Sequence, residues 1–350
     1  MARRNTASIL AKAYERNLRA MTRATLAGSK RWVGQLQRTA MRISRPPPGA
    51  GDWLPGVALG AAGARRFHVY RPPGSWLAFR ERLPLMVMLH GCSQTGRDFA
   101  VSTRMNRLAA RERFLILYPE QDRIANPQGC WNWFEQRSGK AAAEVATIMA
   151  AIDQVCLLYP VDRDRIAIAG LSAGAGMAAL VATRHAVRFK AVAMHSGVAP
   201  GAAKSAATAL GAMRGRHPPP VLATAVGKAI GAAAQFTTLP PLLVLHGDAD
   251  RVVGVSNAER TAKVWAAATG ARPGSTRTSQ RGKRHAARLT DYTRQGRTMV
   301  TLCEIAGLGH AWSGGLGSQP YSDPAGPDAT RMIWAFARRA FGRQRADRTT

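Results

Sequence analysis

Residues 165–181 read Arg-Ile-Ala-Ile-Ala-Gly-Leu-Ser-Ala-Gly-Ala-Gly-Met-Ala-Ala-Leu-Val. A β-branched run breaks there into Gly170-Leu171-Ser172-Ala173-Gly174 and then into a small-residue helix pattern. A serine that attacks a carbonyl must stand on a turn so tight that its own backbone is strained, where neighbouring Cβ atoms would collide. Gly170 and Gly174 remove those atoms. The helix that follows sets its N-terminus beneath the serine, so the Ala173 amide can donate to a developing oxyanion. The chemistry this spacing suits is nucleophilic attack by Ser172.

Such a nucleophile needs a base to take its proton and a carboxylate to orient the base. Gly307-Leu308-Gly309-His310-Ala311-Trp312-Ser313-Gly314-Gly315 offers the base, because glycines on both sides let His310 reach across to the hydroxyl. The rival is His195, which ends an apolar run in His195-Ser196-Gly197 but follows the nucleophile closely and precedes any acid. The acid comes from His246-Gly247-Asp248-Ala249-Asp250-Arg251-Val252-Val253. Asp250 is the favoured carboxylate, and Asp248 reads as a turn or loop cap with the acid role as its alternative. A third loop, His90-Gly91-Cys92-Ser93-Gln94-Thr95-Gly96, supplies the second oxyanion donor, the Cys92 amide, beside Ala173. Gln94 adds a polar contact for substrate. With these parts His310 takes the Ser172 proton, the alkoxide attacks an ester carbonyl, and water cleaves the acyl-enzyme. The scheme calls for no metal and no organic cofactor.

These loops must be held by a scaffold, and the apolar runs describe one. Residues 66–70 read as an edge strand, and 85–89, 114–118, 165–169, 191–195 and 242–245 as buried strands. The last strand, 298–305, pairs with 288–292. Helical patterns cover 98–113, 141–159, 174–185, 256–268 and 328–341. Strands alternating with helices imply a mostly parallel central sheet with helices on both faces, and the catalytic loops then follow strand C-termini. The chain order Ser172, Asp250, His310 is that of an α/β-hydrolase fold. Residues 199–240 are Ala/Gly/Pro-rich without a clear period, which leaves open whether they form a lid.

The 350 residues, 46% hydrophobic with eight Trp, suffice for one substantial core. The Pro/Gly run 45–51 separates an arm and linker, 1–51, from a catalytic domain over 52–345. Four cysteines without a C-x-x-C pair make neither a disulfide scaffold nor a zinc module. Cys156 and Cys303 sit in apolar runs and read as buried thiols. The formal charge is +30 and unevenly spread: residues 1–50 carry eleven Lys/Arg against Glu15, and 275–297 carry seven against Asp291. Such density attracts polyanions, acidic surfaces or anionic lipid, with a solvated Arg-rich surface as the plainer alternative. No aromatic interleaving or known motif accompanies it, so nucleic acid is not the expected ligand. Ile9, Leu10, Tyr14, Leu18 and Met21 recur at helical spacing, a basic amphipathic helix that lies on a surface or docks on the enzyme. The charges within it exclude a secretory signal core, and no uninterrupted apolar stretch is long enough for a transmembrane segment.

The motif set resembles the polyhydroxybutyrate depolymerase and related esterase family, which is also similar to feruloyl and acetylxylan esterases. The matching pieces are residues 89–94, Cys130-Trp131-Asn132-Trp133-Phe134, 170–174, 195–197, 246–250, 307–315 and 323–329. The resemblance implies the triad Ser172, Asp250 and His310, with Cys92 and Ala173 as oxyanion donors. It also implies that Cys92 and Cys130 stand close enough to bridge. A bridge favours an oxidising, extracellular setting and the unsignalled N-terminus favours the cytoplasm; the expectation here is cytoplasmic, associated with a granule through the arm. Trp131, Trp133, Phe134 and Trp312 would form an apolar wall for a polyester chain or aromatic acyl group, with core packing as the alternative. The substrate expected is a polyhydroxyalkanoate or short 3-hydroxyacyl ester. A feruloyl or acetylxylan esterase is the second reading, and a polyanion-binding protein on a hydrolase scaffold the third.

Overall fold

In the computed structural model, residues 46–74, 81–199, 201–215 and 239–346 are described, the side chains of 343–346 excepted. The expected N-terminal amphipathic helix, and residues 216–238 of the Ala/Gly/Pro-rich stretch, lie outside them. Residues 47–350 form one compact unit.

The strands are β1 Asp52–Gly60, β2 Gly63–Arg71, β3 Leu83–Leu89, β4 Leu115–Pro119, β5 Val161–Leu171, β6 Ala191–His195, β7 Leu242–Gly247, β8 Arg272–Ser279, β9 Ala287–Arg294 and β10 Arg297–Ile305. They form one ten-stranded sheet in the order β1-β2-β4-β3-β5-β6-β7-β10-β9-β8. The six central strands, β4 to β10 in that order, run parallel. Both flanks are antiparallel.

Period-2 alternation of side chains divides the core in two. Leu85, Val87, Leu89, Ile166, Ile168, Leu242 and Val244 face one cluster, together with the helices Lys140–Leu158, Ala173–Arg184 and Ser256–Thr269. Met86, Met88, Ala167, Ala169, Leu243 and Leu245 face the other, together with Gly96–Thr103, Met105–Glu112 and Ala329–Ala346. Because both faces are covered, β3 and β4 are apolar along their whole length, and every residue of both is buried. The helix Lys140–Leu158 is long and apolar enough by composition to cross a membrane. Here it packs its Val145, Ile148, Ile152 and Val155 into the sheet.

Two sequence expectations are corrected, and one strand is added to them. The strand over 66–70 is not at the edge, because β1 pairs antiparallel along the whole of β2. The helix expected over 98–113 is two helices. Arg104 adopts φ 55°, and its guanidinium donates to the carbonyls of Gly314 (3.0 Å) and Gly315 (2.7 Å), which holds the break open. The added strand is β8, the edge at the far side of the sheet, exposed along all eight residues, so it has no buried alternation to read.

Candidate active site

The serine turn joins β5 to the helix Ala173–Arg184. Ser172 sits at φ 56°, ψ −119°, a region that L-residues rarely occupy, and its amide donates to His195 O at 2.9 Å. Ser172 O in turn accepts the amides of Ala175 (3.0 Å) and Gly176 (3.1 Å), so the helix starts directly from the strained residue. A Cβ on Gly174 would stand 2.5 Å from His90 O, and one on Gly170 would stand 2.7 Å from Ala175 N. No side chain fits at either place. Gly174 is therefore required by the close packing of the turn against the end of β3 and the loop after it, and Gly170 by that of the strand end against the start of the helix.

His310, on the loop after β10, lies with Nε2 3.0 Å from Ser172 Oγ and Nδ1 2.7 Å from Asp250 Oδ2. Nδ1–H donates to the carboxylate, which leaves Nε2 to accept the serine proton. The other Asp250 oxygen, Oδ1, accepts the amides of Val252 (2.9 Å) and Val253 (2.8 Å). Burial alone would push the Asp250 carboxyl up. Hydrogen bonds from His246, His310 and the Val253 amide outweigh burial and hold it below the usual carboxylate range. Asp248 is exposed and its Oδ1 accepts the Gly307 amide at 2.7 Å, tying the acid loop to the histidine loop. Its geometry is that of a loop tie, and it makes no bond to His310.

His195 is placed differently. It is fully buried, stacks on Trp312 at a centroid distance of 5.1 Å, and accepts the Ser313 amide through Nε2 at 3.1 Å. Its Nδ1 therefore carries the proton and donates to Ser196 Oγ at 3.1 Å. Burial first, then the neighbouring histidines, push its pKa down to about 3. His90 repeats the device: Nε2 accepts the Gln121 amide at 3.1 Å and Nδ1 donates to Gly91 O at 2.8 Å. Both are neutral struts between a strand end and a loop.

A cavity of about 280 Å³ opens beside Ser172, lined by Cys92, Ala173, Trp133, Phe134, Leu210 and Met213 among others. Cys92 and Cys130 are joined by a disulfide, Cα–Cα 4.3 Å, which clips the loop after β3 to the loop bearing the two aromatics. Ser93 N reinforces the clip by donating to Gln128 O at 2.8 Å. Of the free thiols, Cys303 is buried and Cys156 half-buried. The helix Ala206–Met213 lines the same cavity through Ala206, Ala209, Leu210 and Met213.

Three of the expected substrate contacts stand elsewhere. Gln94 is buried and its Oε1 accepts the Gly91 amide at 2.9 Å, closing its own loop. Trp131 is 1% exposed and packs in the core beneath its loop. Trp312 is completely buried between Phe99 and His195, with Nε1 donating to Thr330 Oγ1 at 3.1 Å. Each lies beside a motif but points away from the cavity.

Two groups were not foreseen. Buried Glu144 gathers the aromatic loop: its carboxylate accepts Gln121 Nε2 (2.6 Å), Asn132 Nδ2 (2.6 Å) and Asn132 N (2.8 Å). Burial pushes that carboxyl up despite the bonds. A lone acid on the apolar face of the Lys140–Leu158 helix was the available signal. Tyr321, at φ 55°, flanks His310 edge to face at 6.4 Å. Among the described residues no group of three or more His, Cys, Asp or Glu side chains is placed to hold a metal ion.

A parallel sheet covered on both faces, with a strained serine, a loop histidine and a loop aspartate joined at its C-terminal edge, defines an α/β-hydrolase. Acetyl xylan esterase from Aspergillus awamori shares that fold, with a TM-score of 0.63 at 19% identity over 75% of this chain and 94% of that one. The chain belongs to the esterase PHB depolymerase family, whose model matches residues 65–281. Poly(3-hydroxyalkanoate) depolymerase C of Paucimonas lemoignei is 28% identical over 180 residues, 51% of this chain and 43% of that protein. Feruloyl esterase B of Neurospora crassa is 29% identical over 127 residues, 36% of this chain and 42% of that protein. The chain thus spans less than half the length of either relative.

Proposed function

We propose that this protein is a serine carboxylic-ester hydrolase in which Ser172 is the nucleophile, His310 the general base and Asp250 the residue that orients it. The observation that carries the reading is the continuous hydrogen-bonded chain from Ser172 Oγ through His310 to Asp250, at 3.0 and 2.7 Å. His310 takes the serine proton as Oγ attacks the ester carbonyl, and the amides of Ala173 and Cys92 receive the oxyanion. His310 then returns the proton to the leaving alcohol, and a water molecule, activated the same way, releases the acid.

The substrate we infer is a polyhydroxyalkanoate or short 3-hydroxyacyl ester. Family membership and the apolar wall of Trp133 and Phe134 support it. A feruloyl ester is the second reading, favoured by the same two rings, which meet edge to face and would receive an aromatic acyl group. Comparing turnover of hydroxybutyrate oligomers with feruloyl and acetyl sugars separates them. The first reading expects oligomers to be hydrolysed with the higher kcat/KM, and preference for the sugar esters overturns it.

Residues 52–345 would be the catalytic domain and 1–51 an arm for an anionic surface, a role that salt-sensitive vesicle binding lost on removal of 1–50 would test. The Cys92–Cys130 bond supports an oxidising, extracellular setting, and the cytoplasmic expectation finds no support.

A further inference from the structure

A second cavity, about 320 Å³, lies at the opposite edge of the sheet and shares no lining residue with the one at Ser172. Leu243 near the start of β7, Arg297 at the start of β10, and the helix Ala329–Ala346 enclose it. Its floor is apolar, made by Leu243, Leu289, Met332 and Phe336.

Its rim is cationic: among the described residues Arg277, Arg297 and Arg339 line it with one carboxylate, Asp291, a surplus of two positive charges. Asp291 is already engaged, since Oδ2 pairs with Arg277 and Oδ1 accepts Thr301 Oγ1 at 2.6 Å. Arg297 Nε is buried without a hydrogen-bond partner among the described residues. Neither Arg297 nor Arg339 has an ion pair among the described residues. A guanidinium N–H withdrawn from water and left unpaired, as Arg297 Nε is, is costly, and an oxyanion is the ligand that satisfies it, with exposed Arg339 supplying a second cation at the same rim.

The volume falls at the lower end of small-molecule sites, roughly 300–1,000 Å³. We propose that this cavity is a non-catalytic binding site for an anionic amphiphile: an oxyanion head held by Arg297 and Arg339, with an aliphatic chain of medium length on the apolar floor. A bare anion would leave the floor uncovered, and a neutral chain would leave Arg297 Nε unpaired.

Isothermal titration of the full chain with sodium octanoate tests this, with octyl phosphate in parallel to distinguish a carboxylate from a phosphate head. Saturable binding of at least one of them is expected. It should weaken at least tenfold in Arg297→Gln/Arg339→Gln and remain unchanged in Ser172→Ala. Octanol and acetate should each bind at least tenfold more weakly. Because both arginines are at least partly exposed, the double variant should keep the wild-type Tm; Ala335→Trp, which fills the cavity from the helix side, gives a second route to the same loss. Absence of saturable binding, or equal affinity in wild type and the double arginine variant, would overturn the proposal.

Discussion

His195 Nε2 accepts the backbone amide of Ser313 at 3.1 Å, linking the end of β6 to the loop that carries His310. The histidine that ends β6, the rival for the base in the sequence, is thus a strut for the histidine that faces the nucleophile. Its depressed pKa has a defined consequence for stability. In the unfolded chain the imidazole takes a proton near pH 6.5, whereas the folded site resists it down to about pH 3. Stability is therefore intact above pH 6.5 and is lost as pH falls from 6.5 toward 3, on the order of 1 kcal/mol per pH unit. Urea unfolding of His195→Ala across this window should show a flatter acid limb, with stability near neutrality lower by about 2–4 kcal/mol from the lost packing and the unpaired amide.

Asp250 and Asp248 separate by function. Asp250→Asn removes the acceptor that fixes the His310 tautomer and should lower kcat by about 10⁴. Asp248→Ala only frees the Gly307 amide from an exposed tie, so kcat should stay within about tenfold of wild type. A depressed folded-state pKa also means that the Asp250 contribution to stability is present above the ordinary carboxylate value of 3.8 and is lost below it. Steady-state kinetics of the two variants under one condition checks the assignment.

The elbow glycines admit no substituent. Gly174→Ala places its methyl 2.5 Å from His90 O, a backbone atom that cannot rotate away. The expected cost is about 3 kcal/mol, the upper end of ordinary overpacking, with activity lost alongside. Denaturant titration of the variant gives the number.

Reducing the Cys92–Cys130 bond releases the loop that presents the Cys92 amide to the cavity. Wild type in dithiothreitol should lose about 2–4 kcal/mol of stability and most of its turnover, whereas Cys92→Ala/Cys130→Ala should be insensitive to the reductant. Parallel Tm and rate measurements, with and without reductant, decide this.

What was legible in the sequence follows physical lines. Ser172, Asp250 and His310 could be read because each sits in a glycine-framed loop after an apolar strand, and the fold brings all three within hydrogen-bond distance. Strand β1 could not, because Pro55, Gly56 and Gly60 look like turn residues, while Gly56 and Gly60 in fact admit the Phe67 ring and Thr147 against the backbone. The break at Arg104 was hidden because carbonyls more than two hundred residues away enforce it. Trp131 and Trp312 adjoin motifs that face the cavity, yet motif adjacency does not say which face a ring takes. Glu144 escaped notice because its partners, Gln121 and Asn132, belong to a loop whose path the sequence does not dictate.

The most direct test of the account is labelling with an organophosphonate followed by mass spectrometry, alongside p-nitrophenyl butyrate hydrolysis by wild type and Ser172→Ala. The account predicts one adduct, on Ser172, with turnover abolished by the label and lower by at least 10³-fold in the variant. Undiminished hydrolysis by folded Ser172→Ala, or an adduct on another residue, would contradict it.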